Sequence, residues 1–330
     1  MSDRLATTCS RIILPDISKY TRQYFDLRCN PFHREGETAS NAWFDNFGIL
    51  SGTEREKFFN SRFCLLVSLC YPDADLEHLR PAMDSLLWLF SFDDMADLGE
   101  FKLEGLERAV NITMNVLHDP DSAQPNLNIA ATLHRMRRNG NPTAIRHFVE
   151  ATESYTRAIT QEMIDKLADH VQTFEEYRKY RPDTSAVKLT LATLEYAHRI
   201  NIPDEVLYNP VITELSLAGN EILTWANDVY SFPLELQDAV DYVNQLIEQR
   251  VQDYLEAKAR LPSFGPDLDN EVARYIQGIE YSIQACIDWS FITTRKYCTG
   301  TSIQNANNTQ RLLWMRRGKR QRKYDRGSCF

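Results

Sequence analysis

The sequence predicts an all-α protein, a bundle of many helices packed as a single domain. Three observations predict it. Apolar residues recur at three- and four-residue spacing from about residue 54 to 297, the mark of helices that bury one stripe. Alternating apolar and polar runs between turn dipeptides, which would mark strands, are missing. Proline, glycine and aspartate cluster at intervals of helix length. With 330 residues, 43% of them hydrophobic, the chain can bury a large core, and no composition shift marks a linker.

The elements follow in order. Residues 1–13 read as a flexible segment, and residues 1–10 carry charges with no apolar run behind them, unlike a secretory leader. An irregular stretch with Pro15 and Asn30-Pro31 comes next. Breaks are then expected at Tyr71-Pro72-Asp73, His118-Asp119-Pro120, Asn139-Gly140-Asn141-Pro142, Arg181-Pro182, Asn209-Pro210 and 261–267, with helices between them. The helical domain is expected to span 14–298. The remainder, 299–330, gathers basic residues from Arg311 to Arg326 around one acid, Asp325, and reads as a solvated, disordered tail.

Bulk properties exclude some functions. A net charge of −9 repels nucleic acid and anionic lipid on average, so a polyphosphate ligand needs a local site. No stretch reaches the roughly 18 consecutive apolar residues of a membrane span. A cytoplasmic protein without membrane insertion is expected, monomeric or homodimeric. The seven cysteines are scattered with no C-x-x-C pair and read as reduced thiols.

Two segments carry chemistry. In Pro81-Ala-Met-Asp-Ser-Leu-Leu-Trp-Leu-Phe-Ser-Phe-Asp-Asp-Met-Ala-Asp97, Met83, Leu86, Phe90, Asp93 and Asp97 advance by three or four. One helix face therefore runs from an apolar stripe into carboxylates. Asp93, Asp94 and Asp97 would repel one another without a cation, and hard oxygen donors suit magnesium. In Asn220-Glu-Ile-Leu-Thr-Trp-Ala-Asn-Asp-Val-Tyr-Ser-Phe-Pro-Leu-Glu235, Asn227, Ser231 and Glu235 stand at i, i+4 and i+8. That row puts an amide, a hydroxyl and a carboxylate oxygen on one face, about 6 Å of rise apart.

The pair Asp93-Asp94-Met-Ala-Asp97 and Asn227-Asp-Val-Tyr-Ser231-Phe-Pro-Leu-Glu235 resembles the aspartate-rich and N-D-x-x-S-x-x-x-E motifs of class I terpene synthases, in particular fungal sesquiterpene synthases. Asn30-Pro-Phe-His33, Trp43-Phe-Asp-Asn-Phe47, Tyr71-Pro-Asp-Ala-Asp75 and Trp88-Leu-Phe-Ser-Phe92 agree with it. The resemblance implies a helical bundle around a central active-site cavity. It further implies three magnesium ions held by Asp93, Asp97, Asn227, Ser231 and Glu235, which clamp an isoprenoid diphosphate, most simply farnesyl diphosphate. Charge neutralised on the leaving group ionises the substrate, and the allylic cation cyclises. By the same resemblance Arg181 senses the diphosphate, with Thr184 and Ser185 in an induced-fit linker. Phe90, Trp289 and Phe291 line the cavity, where aromatic faces stabilise cations.

Two departures accompany the resemblance. Arg295 keeps its step after Trp289, but Lys296 stands where the family has tyrosine, leaving both as diphosphate ligands of altered geometry. After Phe232 a block of helical turns is missing, and Pro233 breaks the row before Glu235. A catalytically impaired relative is the alternative this suggests. A chain-elongating prenyl synthase would carry a second aspartate-rich motif.

Overall fold

The computed structural model describes residues 13–97, 102–119, 128–170, 172–231 and 237–294, and among them are fourteen α-helices and no strand. The first four are α1 (Ile17–Thr21), α2 (His33–Asp45), α3 (Gly52–Asn60) and α4 (Phe63–Cys70). The long α5 (Leu76–Asp97), α6 (Leu103–His118), α7 (Asn128–Asn139) and α8 (Pro142–Leu167) follow. Next come α9 (Phe174–Thr184), α10 (Val187–Ala197), the single turn α11 (Asp204–Leu207) and α12 (Pro210–Ser231). The last two are α13 (Gln237–Ala259) and α14 (Pro266–Trp289).

Helix starts are written in local chemistry. Asn141 accepts from the Thr143 N–H at 2.9 Å, with Pro142 in the first turn of α8. Thr173 and Glu176 form a reciprocal capping box on α9. Asp75 accepts from the His78 N–H at 2.9 Å at the start of α5. The short α10 is buried on nearly every side, as a helix apolar all round must be, and α5, α8, α12 and α14 pack about it. Close approach needs bare backbone at Gly278, where a Cβ would run into Leu194, and at Gly219, where it would meet Ile279.

The stretches quoted around Asn30 and Tyr71 meet. Asn30, fully buried, donates through Nδ2 to the carbonyls of Tyr71 (2.9 Å) and Ala74 (2.7 Å), which ties the turn before α5 to the chain before α2.

Three sequence expectations need correction. Helices α1 and α2 occupy the stretch read as irregular, because the regular apolar spacing starts only later. Pro182 lies inside α9 rather than at a break. It sits in the last turn, where one lost hydrogen bond is tolerated, and the chain turns at Ser185 and Ala186, the latter at φ 59°. Cys29 is disulfide-bonded, to a cysteine outside the described residues, whereas Cys64, Cys70 and Cys286 are free thiols. Among the described residues no helix is long and apolar enough to cross a membrane.

Candidate active site

On α5 an inward stripe leads to Asp93. Met83 is fully buried and Leu86 and Phe90 half-buried along it. Phe90 stacks on Phe63 of α4 with centroids 4.0 Å apart, and Trp289 at the end of α14 lies 6.0 Å from Phe90. The indole is fixed from behind, its Nε1 donating to the carbonyls of Ser61 (3.0 Å) and Arg62 (3.1 Å). Phe291 stands apart from this trio, edge-on to Tyr230 at 4.7 Å. The structure thus brings Phe90 and Trp289 together and sets Phe291 against α12, beside the residue before Ser231.

Below Phe90 the apolar core divides. One cluster includes Val67, Tyr71 and Ala82, a second includes Leu89 and Leu189, and Leu86 packs on both. Between them lies a largely enclosed cavity of about 10 Å³, lined by Val67, Tyr71, Ala82, Ser85, Leu86, Leu89, Leu189, Thr190 and Thr193. That is room for roughly one water. A prenyl chain enters only with these side chains displaced.

At the other end of the stripe, Asp93 Oδ1 accepts a hydrogen bond from Tyr155 of α8 at 3.0 Å. Its neighbour Ser154 donates to Asp183 of α9 at 3.1 Å. Arg181, half a turn earlier on α9, is bidentate on Asp228 of α12, with Nη2–Oδ1 2.7 Å and Nε–Oδ2 3.1 Å. Asp228 follows Asn227, and the Ser231 hydroxyl donates to Asn227 Oδ1 at 3.1 Å. Contacts from α5 through α8 and α9 to α12 therefore gather both motif helices at one end of the bundle.

Arg181 has no free edge. Its remaining Nη1 donates to Thr184 Oγ1 at 3.3 Å, and the Tyr177 hydroxyl also donates to Asp228. Burial would lower the guanidinium, but hydrogen bonds and attraction from Asp228 hold it above its ordinary range. Tyr177 is raised by burial and by the Asp228 charge, so it stays a neutral donor. The turn after Arg181 is pinned by Asn220, which donates to the Pro182 carbonyl (2.9 Å) and accepts from Ser185 (3.1 Å).

Of the residues named from the sequence, Asp93, Asn227, Ser231 and Arg181 take part in these hydrogen bonds, and Tyr155, Tyr177, Asp228 and Asn220, which also take part in them, were not named as site residues. For Asp228 a signal existed, its place inside the second motif; the two tyrosines had none. Asp97 ends α5, but its side chain lies outside the described residues, as do Glu235, Arg295, Lys296 and the basic tail. Among the described residues no three His, Cys, Asp or Glu side chains gather as a metal cluster.

The family described as terpene synthase family 2, C-terminal metal binding, matches residues 84–244, a span that holds both motif helices. Sesquiterpene synthase Agr1 of Cyclocybe aegerita is 32% identical over 87% of this chain and 89% of its own length. The chain belongs to the terpene synthase family. Sesquiterpene synthase 3 of Postia placenta is 33% identical, covering 83% of this chain and 81% of its own. Alpha-muurolene synthase of Coprinopsis cinerea is 31% identical, with coverages of 86% and 74%. A crystal structure of alpha-eudesmol synthase superposes with a TM-score of 0.74 at 15% identity, over 81% of this chain and 97% of that one. That likeness is one of fold. As a terpene synthase this chain is an enzyme of the lyase class acting on an isoprenoid diphosphate, and its matched domain is a metal-binding one.

Proposed function

We propose that this synthase ionises farnesyl diphosphate with magnesium, cyclises the cation to a sesquiterpene and releases diphosphate. The observation that carries the reading is the convergence of Asp93, Arg181 and the Asn227–Ser231 pair at one end of the bundle, above the Phe63, Phe90 and Trp289 rings. The sesquiterpene synthases it resembles support the substrate's length, and a cytoplasmic location belongs to the same proposal.

The donor set fits a hard cation. Asp93 offers a carboxylate, and Asn227 Oδ1 and Ser231 Oγ, 3.1 Å apart, can both meet one ion. Asp97 and Glu235 complete the set by resemblance, with three ions in all and Arg295 and Lys296 as further diphosphate ligands. Bound magnesium supplies Lewis-acid neutralisation of the departing diphosphate. The chain's own residues do the rest. Tyr155 orients the Asp93 carboxylate, Arg181 offers a planar fork to phosphate oxygens once it leaves Asp228, and the rings stacked below exclude water and face the cation.

Incubation of the purified protein with geranyl, farnesyl and geranylgeranyl diphosphates plus magnesium tests the reading. Cyclic sesquiterpenes from farnesyl diphosphate are expected; turnover of only another chain length, or of none, overturns it. Phe90→Leu should leave diphosphate release intact and shift the hydrocarbon mixture toward acyclic and monocyclic products. About 0.5–2 kcal/mol of cation–π stabilisation is removed while most volume stays. An unchanged mixture returns Phe90 to plain packing.

Arg181 and Asp228 should respond with opposite signs. Arg181→Lys loses the fork, so binding of inorganic diphosphate with magnesium should weaken by roughly ten- to a hundredfold, the value of a charge-assisted bidentate contact. Asp228→Asn removes the partner that the guanidinium must leave, and binding should tighten. Calorimetric titration reads both; weakening in both variants would mean that Asp228 positions Arg181 rather than competing for it.

A further inference from the structure

We infer that residues 13–22 brace the metal-binding end of α12, and that Tyr230 and Gln237, which grip this segment, are positioning residues for magnesium. The inference rests on the reading of Asn227 and Ser231 as magnesium ligands and concerns what keeps them in place.

The segment is tied to three helix ends. Gln237, the first residue of α13, grips both backbone groups of Ile13: the Ile13 N–H donates to its Oε1 at 2.8 Å, and its Nε2 donates to the Ile13 carbonyl at 3.0 Å. Nε2 also donates to Asp241 Oδ1 at 2.8 Å, so both amide protons are engaged and the amide has one orientation. Tyr230, in the last turn of α12, donates through Oη to the Pro15 carbonyl at 3.1 Å. Asp288, buried in the last turn of α14, accepts from Ser18 Oγ at 2.6 Å and from Arg22 Nε at 3.2 Å. Gln284 Nε2 donates to the same carboxylate at 2.6 Å. The ties from residues 13–22 join positions 215 to 270 apart in sequence, so local helix preference does not account for them.

The helix ends matter because of what α12 carries. The last carbonyls of a helix have no intrahelical partner, and terminal turns open first. Ser231 is the last residue of α12 and is exposed. Its hydroxyl must stay beside Asn227 Oδ1 for one ion to meet both at magnesium distances of about 2.0–2.1 Å. Tyr230 supplies the hold. Its buried ring lies edge-on to Phe291 and its hydroxyl reaches Pro15. Adjacent helical residues point about 100° apart, so a Tyr230 fixed inward also fixes the direction of Ser231. Asp288 anchors the other end of the segment on α14, one residue before Trp289, so the metal-binding turn and the ring wall share one support.

Tyr230→Phe keeps the ring on Phe291 and removes the hydroxyl, whereas Gln237→Leu removes both bonds to Ile13. Tyr20 supplies the control. Its Oη donates to the Glu248 carbonyl at 3.3 Å and accepts from Gln252 Nε2 at 2.8 Å, in the middle of α13, so Tyr20→Phe loosens the same segment away from α12. Magnesium is titrated by calorimetry with inorganic diphosphate present, and amide hydrogen exchange at residues 227–231 is followed without metal. Tyr230→Phe and Gln237→Leu should each raise the half-saturating magnesium about three- to tenfold, the size of one hydrogen bond, and speed exchange at 227–231. Tyr20→Phe should leave both readings unchanged. Wild-type magnesium affinity in the Tyr230 and Gln237 variants, or an equal loss in Tyr20→Phe, makes the segment general packing and overturns the inference. Weaker magnesium binding in those two variants of a protein that turns over no prenyl diphosphate would sink the cyclase reading and leave the brace standing.

Discussion

Replacing Asp93 with alanine is expected to cut product formation by roughly a hundredfold or more, the scale for removing one preorganised group that stabilises transition-state charge. The far-UV helical signal should stay unchanged. Asp93 is half-buried at the end of the α5 stripe, and its described contact is the hydrogen bond from Tyr155. Removing the carboxylate takes away charge and the hydrogen bond from Tyr155, whereas the neighbouring buried Leu89 and Phe92 keep the helix docked. Stability should therefore fall by only about 1 kcal/mol. Tyr155→Phe, which keeps the carboxylate but frees its orientation, should give a smaller loss. Normal turnover by Asp93→Ala would remove the aspartate-rich helix from the mechanism.

The two motif helices were legible because each repeats an incongruous residue at helical spacing. Asp93 ends an apolar stripe, and Asn227 and Ser231 repeat polar oxygens at i and i+4, a pairing that the structure realises as a hydrogen bond. Periodicity reports a face, and both faces carried the message. Contacts between helices distant in sequence carry no such message. Tyr155 meets Asp93 across 62 positions and Tyr177 meets Asp228 across 51; a lone tyrosine on a helix looks the same whether it packs or positions a ligand.

The turn between α9 and α10 was misread by three or four residues for a related reason. Proline marks where a helix loses a donor, but whether the chain stops there depends on position. Pro182 is followed by Asp183 and Thr184 before α9 ends, and Asn220, remote in sequence, takes up the Pro182 carbonyl. The junction at 232–236, where the sequence leads one to expect Pro233 to interrupt the row before Glu235, lies outside the described residues. The family match runs across it, to residue 244.

The largest stability effect is expected at Asp84, fully buried on α5 away from Asp93. Arg135 of α7 places Nη2 2.5 Å from Asp84 Oδ2 and lies 4.6 Å over the Trp43 ring, while Arg80 stands 4.0 Å away. Removing one partner of such a pair leaves a charge without compensation. The Arg135 side chain keeps 29% exposure, so Asp84→Ala should cost about 2–4 kcal/mol, somewhat below the figure for a fully buried pair. Urea unfolding measures it. Replacing both partners with apolar residues, Asp84→Leu with Arg135→Met, should recover most of the loss. The pH dependence fixes which force dominates. Burial, opposed by the Arg135 charge, pushes the Asp84 carboxyl up to about 6. Its folded value then lies above its unfolded one, the native state binds the proton more tightly, and acidification from pH 7 toward 4 favours folding at this site. The stability gap between wild type and Asp84→Asn should therefore widen as the pH falls through 6. A gap that narrows instead would show that attraction to Arg135 and Arg80 outweighs burial.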